Sequence, residues 1–576
     1  MAQVRMNAYD ADVFIPRFRG LITNGNDPDG DLQYAVEAQN VDTTDGFLQP
    51  ASDPLMHDHA PVEDHIFVNK TSEHYEQLLR WYTGATYDPD EAGYQSRFRS
   101  LVKHNLDIES GGEVHAVQHF VVTGGNGFAS LIEDNGEYLR SYFTRTYGMV
   151  KLDGTFDADY REFYEEDPPD VSDAHWEIVV YQSVVIPNVP SDTFYPTAIF
   201  LSSKEKGLYV IQARPSGNED LMAYRCVKIE TPVLFDHIEI FGDRLWGCAS
   251  TADGDSLYYS AVYNPSDWRL NIDQPEMGAG QIMQPNWDND YFTGLRKFGD
   301  SLIAFKKNRA WRVNGVDIGT MYMSEQYGFG TEFAKTVVTS GDRLYFANRN
   351  GLAVYDGSSI RQLMQDALRD LWSHVRESAM DNMTAFLYEN RKYCLAVPVD
   401  SDINNTLIVY DTEDGSVLFY RDMYISDFCH PVTEHLPLVL WNNGVRSSIR
   451  ELCFNAWDRE VVTERGTKWV TPWLEFGRKD IQKGGFDFYF TPEVKGTNPV
   501  TFTITFQTEK KKKTKQYTVP PMTAEQIAAD KKGKTKRLHF GGSGRRFRLI
   551  LETAANTNVI WRLYGGIHII AEVDKD

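Results

Sequence analysis

Residues 241–247 read FGDRLWG, residues 298–305 read FGDSLIAF and residues 340–347 read SGDRLYFA. Each has Gly-Asp, one polar residue, Leu and then a run of strand-forming side chains. Gly-Asp supplies a tight turn, because glycine tolerates the left-handed backbone that hairpin turns need. The Leu that follows opens a strand with a buried face. The three copies start 57 and 42 positions apart, and a four-stranded propeller blade takes ~40–50 residues. The echo is therefore read as successive blades, one carrying an insertion. Three unrelated hairpins are the alternative, since Gly-Asp turns are common. Related turn-and-strand pairs stand at Lys206-Gly207-Leu208-Tyr209 and Asn390-Arg391-Lys392-Tyr393-Cys394.

Outward from these copies the strand signal stays dense. Short apolar runs at 176–186, 207–213, 302–305 and 406–410 alternate with Gly, Asp and Asn punctuation, the pattern of propellers and sandwiches. Helical spacing is scarce. Leu363, Ala367, Leu368, Leu371, Trp372 and Val375 share one face, Tyr75, Leu78, Leu79 and Tyr82 share another, and 523–531 is a weaker candidate. From Trp469 onwards the pattern becomes strict alternation: Phe486, Phe488 and Phe490 point one way, as do Val500, Phe502, Ile504 and Phe506. That is antiparallel sheet with one buried face. The expected fold is all-β in the main. Residues 1–60 are strands entering a propeller, and 61–190 are an insertion, a diverged blade or a docking region. A β-propeller-like body spans 191–455 and a C-terminal β-sandwich-like domain spans 456–576.

Composition sets outer bounds. A chain of 576 residues with 42% hydrophobic and 13% aromatic residues can build more than one core. The net charge of −24 repels DNA and anionic membranes at long range and argues against a general nucleic-acid binder. Cys226, Cys248, Cys394, Cys429 and Cys453 are odd in number and widely spaced, which points to reducing conditions at folding rather than a disulfide framework. Residues 1–14 hold no apolar leader core, and no stretch approaches the ~20 apolar residues of a membrane span.

Charge is not spread evenly. Residues 508–548 carry thirteen Lys or Arg against three Asp or Glu, about +10, leaving about −34 for the rest of the total of −24. Lys510, Lys511, Lys512, Lys513, Lys515, Lys531, Lys532, Lys534, Lys536 and Arg537 flank Pro520-Pro521 in what is read as a long hairpin or basic loop. These ten are the candidate interaction residues. They either solubilise an edge strand or contact an acidic neighbour or DNA phosphate.

The search for chemistry returns little. There is no GxGxxG after a strand, no phosphate loop, no HExxH and no GxSxG. Gly124-Gly125-Asn126-Gly127 lacks the following Lys-Ser/Thr of a phosphate cradle. His57, Asp58, His59, Asp64 and His65 cluster without zinc-site spacing, and Pro54 and Pro61 bracket His57-Asp58-His59. A polar surface loop is the better reading. Asn24, Asn26, Asp27, Asp29 and Asp31 offer oxygen ligands that calcium favours, without EF-hand spacing; they are also ordinary turn formers. Paired carboxylates for a glycosidase propeller are not excluded, but no Ser-x-Asp-x-Gly-x-Thr-Trp box repeats. No catalytic, cofactor-binding or metal residue is assigned, and no cofactor is expected.

Two stretches read together carry a family resemblance. Residues 241–268 run FGDRLWGCASTADGDSLYYSAVYNPSDW and residues 327–363 run YGFGTEFAKTVVTSGDRLYFANRNGLAVYDGSSIRQL. Their pairing resembles the propeller body of bacteriophage tail hub or nozzle proteins, also known as packaged-DNA stabilisation or tail tubular proteins. The segments around Phe18-Arg-Gly-Leu-Ile, Ala38-Gln-Asn40-Val-Asp42 and Asp45-Gly46-Phe47-Leu48 look like that family's opening strands. Trp473-Leu-Glu-Phe-Gly477, Gly544-Arg-Arg-Phe-Arg-Leu and Trp561-Arg-Leu-Tyr-Gly look like its late β-domain. The resemblance covers about half the chain in patches, and 62–190 match nothing in the family.

The resemblance implies a structural virion protein, made in the host cytoplasm and placed in the tail. It implies a homo-oligomeric ring, a hexamer, that extends the DNA channel below the portal and adaptor. Such a ring retains packaged DNA and carries fibres or spikes. An acidic lumen would let DNA pass without sticking, and the basic 510–537 segment would dock on acidic neighbours. The rival readings are a glycan-binding or glycan-hydrolysing propeller and another phage baseplate or fibre-attachment subunit.

Overall fold

The computed structural model describes residues 3–6, 10–21, 33–56 without 44, 45 and 53, strand backbones between 98 and 157, residues 176–181, and 198–573. From that last span, 216–221, 250–252, 284–289, 317–318, 327, 329, 364, 430–436, 445–446, 455–456, 458–464, 477–480, 530 and 556–558 are excepted. Among these residues strand is the main element and helices are few, in a β-propeller joined to a β-sandwich.

Seven antiparallel sheets form the blades. In chain order they occupy 98–157, 177–229, 237–283, 292–326, 338–363, 384–421 and 425–451. Their first strands are Phe98–Ser110, Glu177–Tyr181, His237–Phe241, Phe292–Phe298, Val338–Ser340, Thr384–Tyr388 and Ile425–Cys429. Each lies beside the next, and the last returns to the first, so the ring closes. The seventh blade takes its outermost strand from the N-terminal segment: Leu55–Met56 pairs with Ser447–Glu451. Closing a ring with a strand from the opposite end leaves no open seam between first and last blades.

The Gly-Asp copies are the turns between the first and second strands of blades three, four and five. Phe241 pairs with Arg244, Phe298 with Ser301 and Ser340 with Arg343, so each turn has two residues. Gly242 and Asp243 both take positive φ, 59° and 55°, the combination a type I′ hairpin requires. Leu245, Leu302 and Leu344 are all 0% exposed. The second strands read as unbroken apolar runs because both their faces are covered. Leu302 and Ala304 pack with blade three's Trp246 and Leu257; Ile303 and Phe305 pack with blade five's Leu344 and Phe346. One strand thus serves two cores, each buried Leu or Phe contributing about 1.5–3 kcal/mol. The pair at 388–392 is the equivalent turn of blade six, whereas that at 203–207 joins the second and third strands of blade two.

Two boundaries differ from the sequence reading. Residues 98–157 form a six-stranded meander whose first strand stands between those of blades seven and two, the diverged-blade alternative for 61–190, so the blades start at 98 rather than 191. Of the described residues among 1–60, Leu55–Met56 enters the propeller as a strand, whereas Asp10–Ile15 pairs with the last strand, Val559–Val573, and Glu37–Gln39 pairs with Thr467–Val470. Ala11, Val13 and Ile15 are buried at 0% exposure. Their alternation matches a one-face-buried sheet, which the sandwich offers and a doubly covered blade does not.

The sandwich core is aromatic. Phe486, Phe488 and Phe490 of one sheet face Phe502, Ile504 and Phe506 of the other, all at or below 2% exposure. Phe486 stacks on Phe506 at 5.5 Å and Phe547 lies 4.1 Å from Phe486. The basic segment is part strand and part turn and link. It forms two edge strands, Lys512–Val519 and Lys536–Gly544, one on each sheet, linked through the short helix Ala524–Ala528. Thr-Lys alternation allows this. Thr505–Thr514 and Thr501–Thr518 hydroxyl pairs at 2.8 and 2.9 Å tie one face of Lys512–Val519 to its neighbour, while Lys513 and Lys515 lie exposed on the opposite face, in register with Phe506 and Ile504. The helix has a capping box between Thr523 and Gln526. The apolar stripe from Leu363 gives the α-helix Gln365–Ser373 followed by a 3₁₀ turn, Glu377–Asn382. The 72–82 helix candidate lies outside the described residues.

One nine-stranded sheet joins both bodies. It runs from blade six through Glu37–Gln39 into the sandwich and ends at Lys512–Val519. The junction includes the parallel bridge of Gln39 to Phe419 and the antiparallel bridge of Leu21 to Val417, with Asn40 beside the first. Asn40 is 4% exposed and has φ of +52°. Its N–H donates to Phe419 O, its carbonyl accepts from Ala51 N, its Nδ2 donates to Gly466 O at 3.0 Å and its Oδ1 accepts from Arg421 N at 2.7 Å.

Candidate functional site

In a four-stranded meander the first and third turns lie at one end, and the second turn and the link to the next blade lie at the other. The Gly-Asp turns therefore share one face of the propeller. The links converge at the opposite face, around the axis. There Trp176, Glu177, Asp236, His237, Phe333 and Lys335 line a depression of about 290 Å³. Each precedes or opens the inner strand of its blade, which brings residues from distant parts of the chain together.

Its chemical centre is a cross-blade pair. His237 Nδ1 lies 2.7 Å from Glu177 Oε2, with side chains about a quarter exposed. Burial alone would lower the imidazole's pKa; the charge and hydrogen bond of Glu177, with Asp236 adding, outweigh burial and the opposing Lys335, so it is raised. Such a pair can hold a proton. It can also act as a plain strut between blades two and three. Nearby, Glu332 meets Lys307 and Arg349 and is held below the usual carboxylate range. A larger cavity, about 780 Å³, lies at the seam of blade six and the N-terminal segment. Its charges are matched internally, Arg391 with Asp411 at 2.8 Å and Arg19 with Asp414 at 3.5 Å, as in a domain seam.

The ten sequence candidates lie along the two edge strands of the sandwich, in the turn before the first and in the link between them. Lys510 and Lys511 form the turn after Thr508. Lys512, Lys513 and Lys515 are exposed on one edge strand, and Lys531, Lys532 and Lys534 lie in the link after the helix. Lys536 and Arg537 open the other edge strand. The two edges approach each other: Lys515 Nζ sits 5.6 Å from the Phe540 ring and Lys536 Nζ 5.8 Å from Tyr517. Arg537 is engaged by Asp487 at 2.6 Å. Among the described residues no carboxylate pairs with Lys512, Lys513 or Lys515.

No family model matches the chain, and neither does any curated protein. Solved structures do overlap it. The Pan2 WD40 domain of Neurospora crassa has a TM-score of 0.32 at 9% identity, covering 64% of this chain and 91% of that one. A candidate 6-phosphogluconolactonase from Bacteroides uniformis gives 0.33 at 9%, covering 57% and 88%. A glycoside hydrolase family 43 arabinoxylan arabinofuranohydrolase from Bacillus subtilis gives 0.24 at 9%, covering 84% and 97%. The fold assignment stands on the sheet order and the closed ring of inner strands, not on these low-scoring overlaps.

The remaining sequence candidates fall as follows. His57, Asp58, His59, Asp64 and His65, and Asn24 to Asp31, lie outside the described residues. Gly124 pairs with Gly127 across a hairpin of the first blade, a strand-to-strand turn rather than a strand-to-helix cradle. Among the described residues, no group of three or more His, Cys, Asp or Glu could hold a metal, and no helix is long and apolar enough to cross a membrane. Cys248, Cys394 and Cys453 are buried free thiols. Sequence reading missed the Glu177–His237 pair. The available signal was its position: His237 opens the strand that ends in a Gly-Asp turn, and Glu177 opens the corresponding strand one blade earlier.

Proposed function

We propose that this chain is a structural subunit of a tailed-bacteriophage virion, the tail hub or nozzle. It assembles into a ring that extends the DNA channel below portal and adaptor, retains packaged DNA and carries fibres or spikes. It acts by assembly, without catalytic residues. The supporting observation is the segregation of charge: a chain of net −24 gathers lysines on one edge, where Lys512, Lys513 and Lys515 have no carboxylate partner among the described residues. That edge ends the nine-stranded sheet, eight spacings of ~4.8 Å from the inner strand of blade six, roughly 38 Å away. A rigid arm with a basic tip on an acidic body suits contacts between like copies, and a head-to-tail contact closes into a ring when its rotation allows. The acidic remainder suits a lumen that DNA traverses without adhering.

Native mass and negative-stain imaging of the purified chain test this, with cofractionation of the chain with virions. Rings are expected. A stable monomer, or a ring with a lumen lined mainly by Lys and Arg, would overturn it. A second reading, a glycan-active propeller, is favoured by the carboxylates at the axial depression, Glu177, Asp236 and Glu332. Oligosaccharide hydrolysis by the wild type, lost in Glu177→Gln, would establish that reading instead.

A further inference from the structure

The third and fourth strands of blade three are joined by a twenty-residue excursion, 260–279. It lies on the face of the Gly-Asp turns. Its ends meet: Arg269 O accepts from Ala279 N, and Met277 O accepts from Val262 N. Arg244, the polar residue of the first Gly-Asp copy, is fully buried beneath it. Its guanidinium donates to Ser260 O at 2.7 Å, to Gly278 O at 2.6 Å and to Glu276 O. Trp268 plugs the base against Phe235 at 4.8 Å. The loop is thus held in one conformation from below.

Its upper surface does not serve this chain's own core. Ile272 is 90% exposed, Leu270 78%, Tyr263 58% and Met277 41%. Tyr263 N donates to Asp243 O of the Gly-Asp turn, and Val316 of the next blade, 44% exposed, packs on Gly242. The apolar surface therefore extends across two blades. Single exposed apolar residues are ordinary, but a group on an ordered loop marks an interaction surface. Its surroundings are acidic: Asp243, Asp273, Glu276 and Asp300 are exposed around it. Arg269 is occupied by Asp267, at 2.9 Å.

We propose that this loop receives the basic rim of a second copy of this chain. The charges are complementary. Lys512, Lys513 and Lys515 lack carboxylate partners among the described residues and would meet Asp273 and Glu276. The apolar content matches as well: Ile527 of the helix between the two edge strands is 38% exposed, and lysine stems and Tyr517 flank the rim. Placement also fits. The rim hangs from blade six and the loop from blade three, three positions away in a ring of seven, so the two surfaces lie on opposite sides of the subunit. A head-to-tail contact uses two different patches, as here, whereas a two-fold contact uses one patch twice.

This inference rests on the assembly reading above. The test uses the full chain and two charge-reversed variants, Asp273→Lys/Glu276→Lys and Lys512→Glu/Lys513→Glu/Lys515→Glu. All five side chains are exposed, so unchanged circular dichroism and urea midpoints are required first. Sedimentation velocity over a concentration series should show each variant needing roughly tenfold more protein than wild type to associate, since like charges then face each other. An equimolar mixture should recover association, because each variant complements the other. Variants that associate within twofold of wild type, or a mixture that recovers nothing, would overturn the inference while leaving a ring intact. The predicted variant behaviour with open filaments, and no chain in virions, would uphold the contact and overturn the hub. A wild type that stays monomeric at its highest soluble concentration overturns both.

Discussion

Asn40 allows a stringent test of how the two bodies are joined. Replacing it with Ala removes the Nδ2 and Oδ1 contacts and leaves Gly466 O and Arg421 N without those partners. Each lost partner costs ~1–3 kcal/mol at a buried site. Both neighbours are only half-buried, so water recovers part, and about 2–4 kcal/mol remains for the two. Ala must also hold φ of +52°, which costs an L-residue without a polar side chain ~1–2 kcal/mol more. Asn40→Ala should therefore lose about 3–6 kcal/mol. Asn40→Gly loses the same side-chain contacts but not the strain, and should be the milder change by about 1 kcal/mol. At an ordinary position Gly is the worse residue, so reversal of that order is the diagnostic. Urea unfolding followed by fluorescence suits the measurement, because Trp469 packs edge-on against Phe18 at 5.0 Å in the same junction. Hydrogen exchange at Ala51 and Arg421 should accelerate in both variants. Ala at least as stable as Gly, or both within about 0.5 kcal/mol of wild type, would refute the account of Asn40 as a strained cross-link.

Three further outcomes follow from the same geometry. Arg244→Met should free the 260–279 loop, giving faster amide exchange at Val262, Met277 and Gly278 and a loss of ~2–4 kcal/mol, as buried carbonyls lose a charged donor; unchanged exchange would show that the loop holds itself. Lys392→Met should cost ~3–5 kcal/mol in urea unfolding because Asp42, 0% exposed and 3.5 Å from Lys392, is left buried, and adding Asp42→Asn should recover much of that loss. The His237–Glu177 pair has a definite pH signature: with the folded His pKa raised above ~6.5, its contribution is fully present below that value and fades as pH rises through the folded pKa. The stability gap between wild type and His237→Gln should be widest near pH 5.5–6 and narrow in alkaline buffer; a gap that widens with pH would contradict the assigned direction.

The fold was legible where local chemistry and long-range packing agree. A Gly-Asp turn followed by a buried Leu is dictated by the backbone of a two-residue hairpin, so Leu245, Leu302 and Leu344 could be read directly. Phe486 to Phe506 alternate because one face of a sandwich is wet. The N-terminal strands were harder. Asp10–Ile15 alternates like any strand, and nothing within it says that its partner is Val559–Val573, more than 500 positions away. The basic segment was read as a long hairpin or a loop; Thr514 and Thr518 between the lysines carry the hairpin strand, and the lysine runs alone do not say which residues are strand. At the axis, Glu177 and His237 are 60 positions apart and meet only because two inner strands start at the same height.

The way the ends are sewn together bears on what such a subunit can transmit. The sandwich needs Asp10–Ile15 from the start of the chain and Val559–Val573 from its end, and the last blade needs Leu55–Met56. Neither body closes without the first sixty residues, and those residues cross Asn40 between one task and the other. Displacing the rim at Lys512–Val519 therefore pulls on a sheet that is continuous to the inner strand of blade six. That inner strand belongs to a closed ring whose blades share cores in pairs. A load applied at the basic tip is spread through backbone hydrogen bonds to the axis and on to blade three, where Arg244 fixes the acidic loop from beneath. Two contact surfaces at opposite ends of one hydrogen-bonded frame keep their relative orientation, and a head-to-tail ring closes only when that orientation is constant from copy to copy.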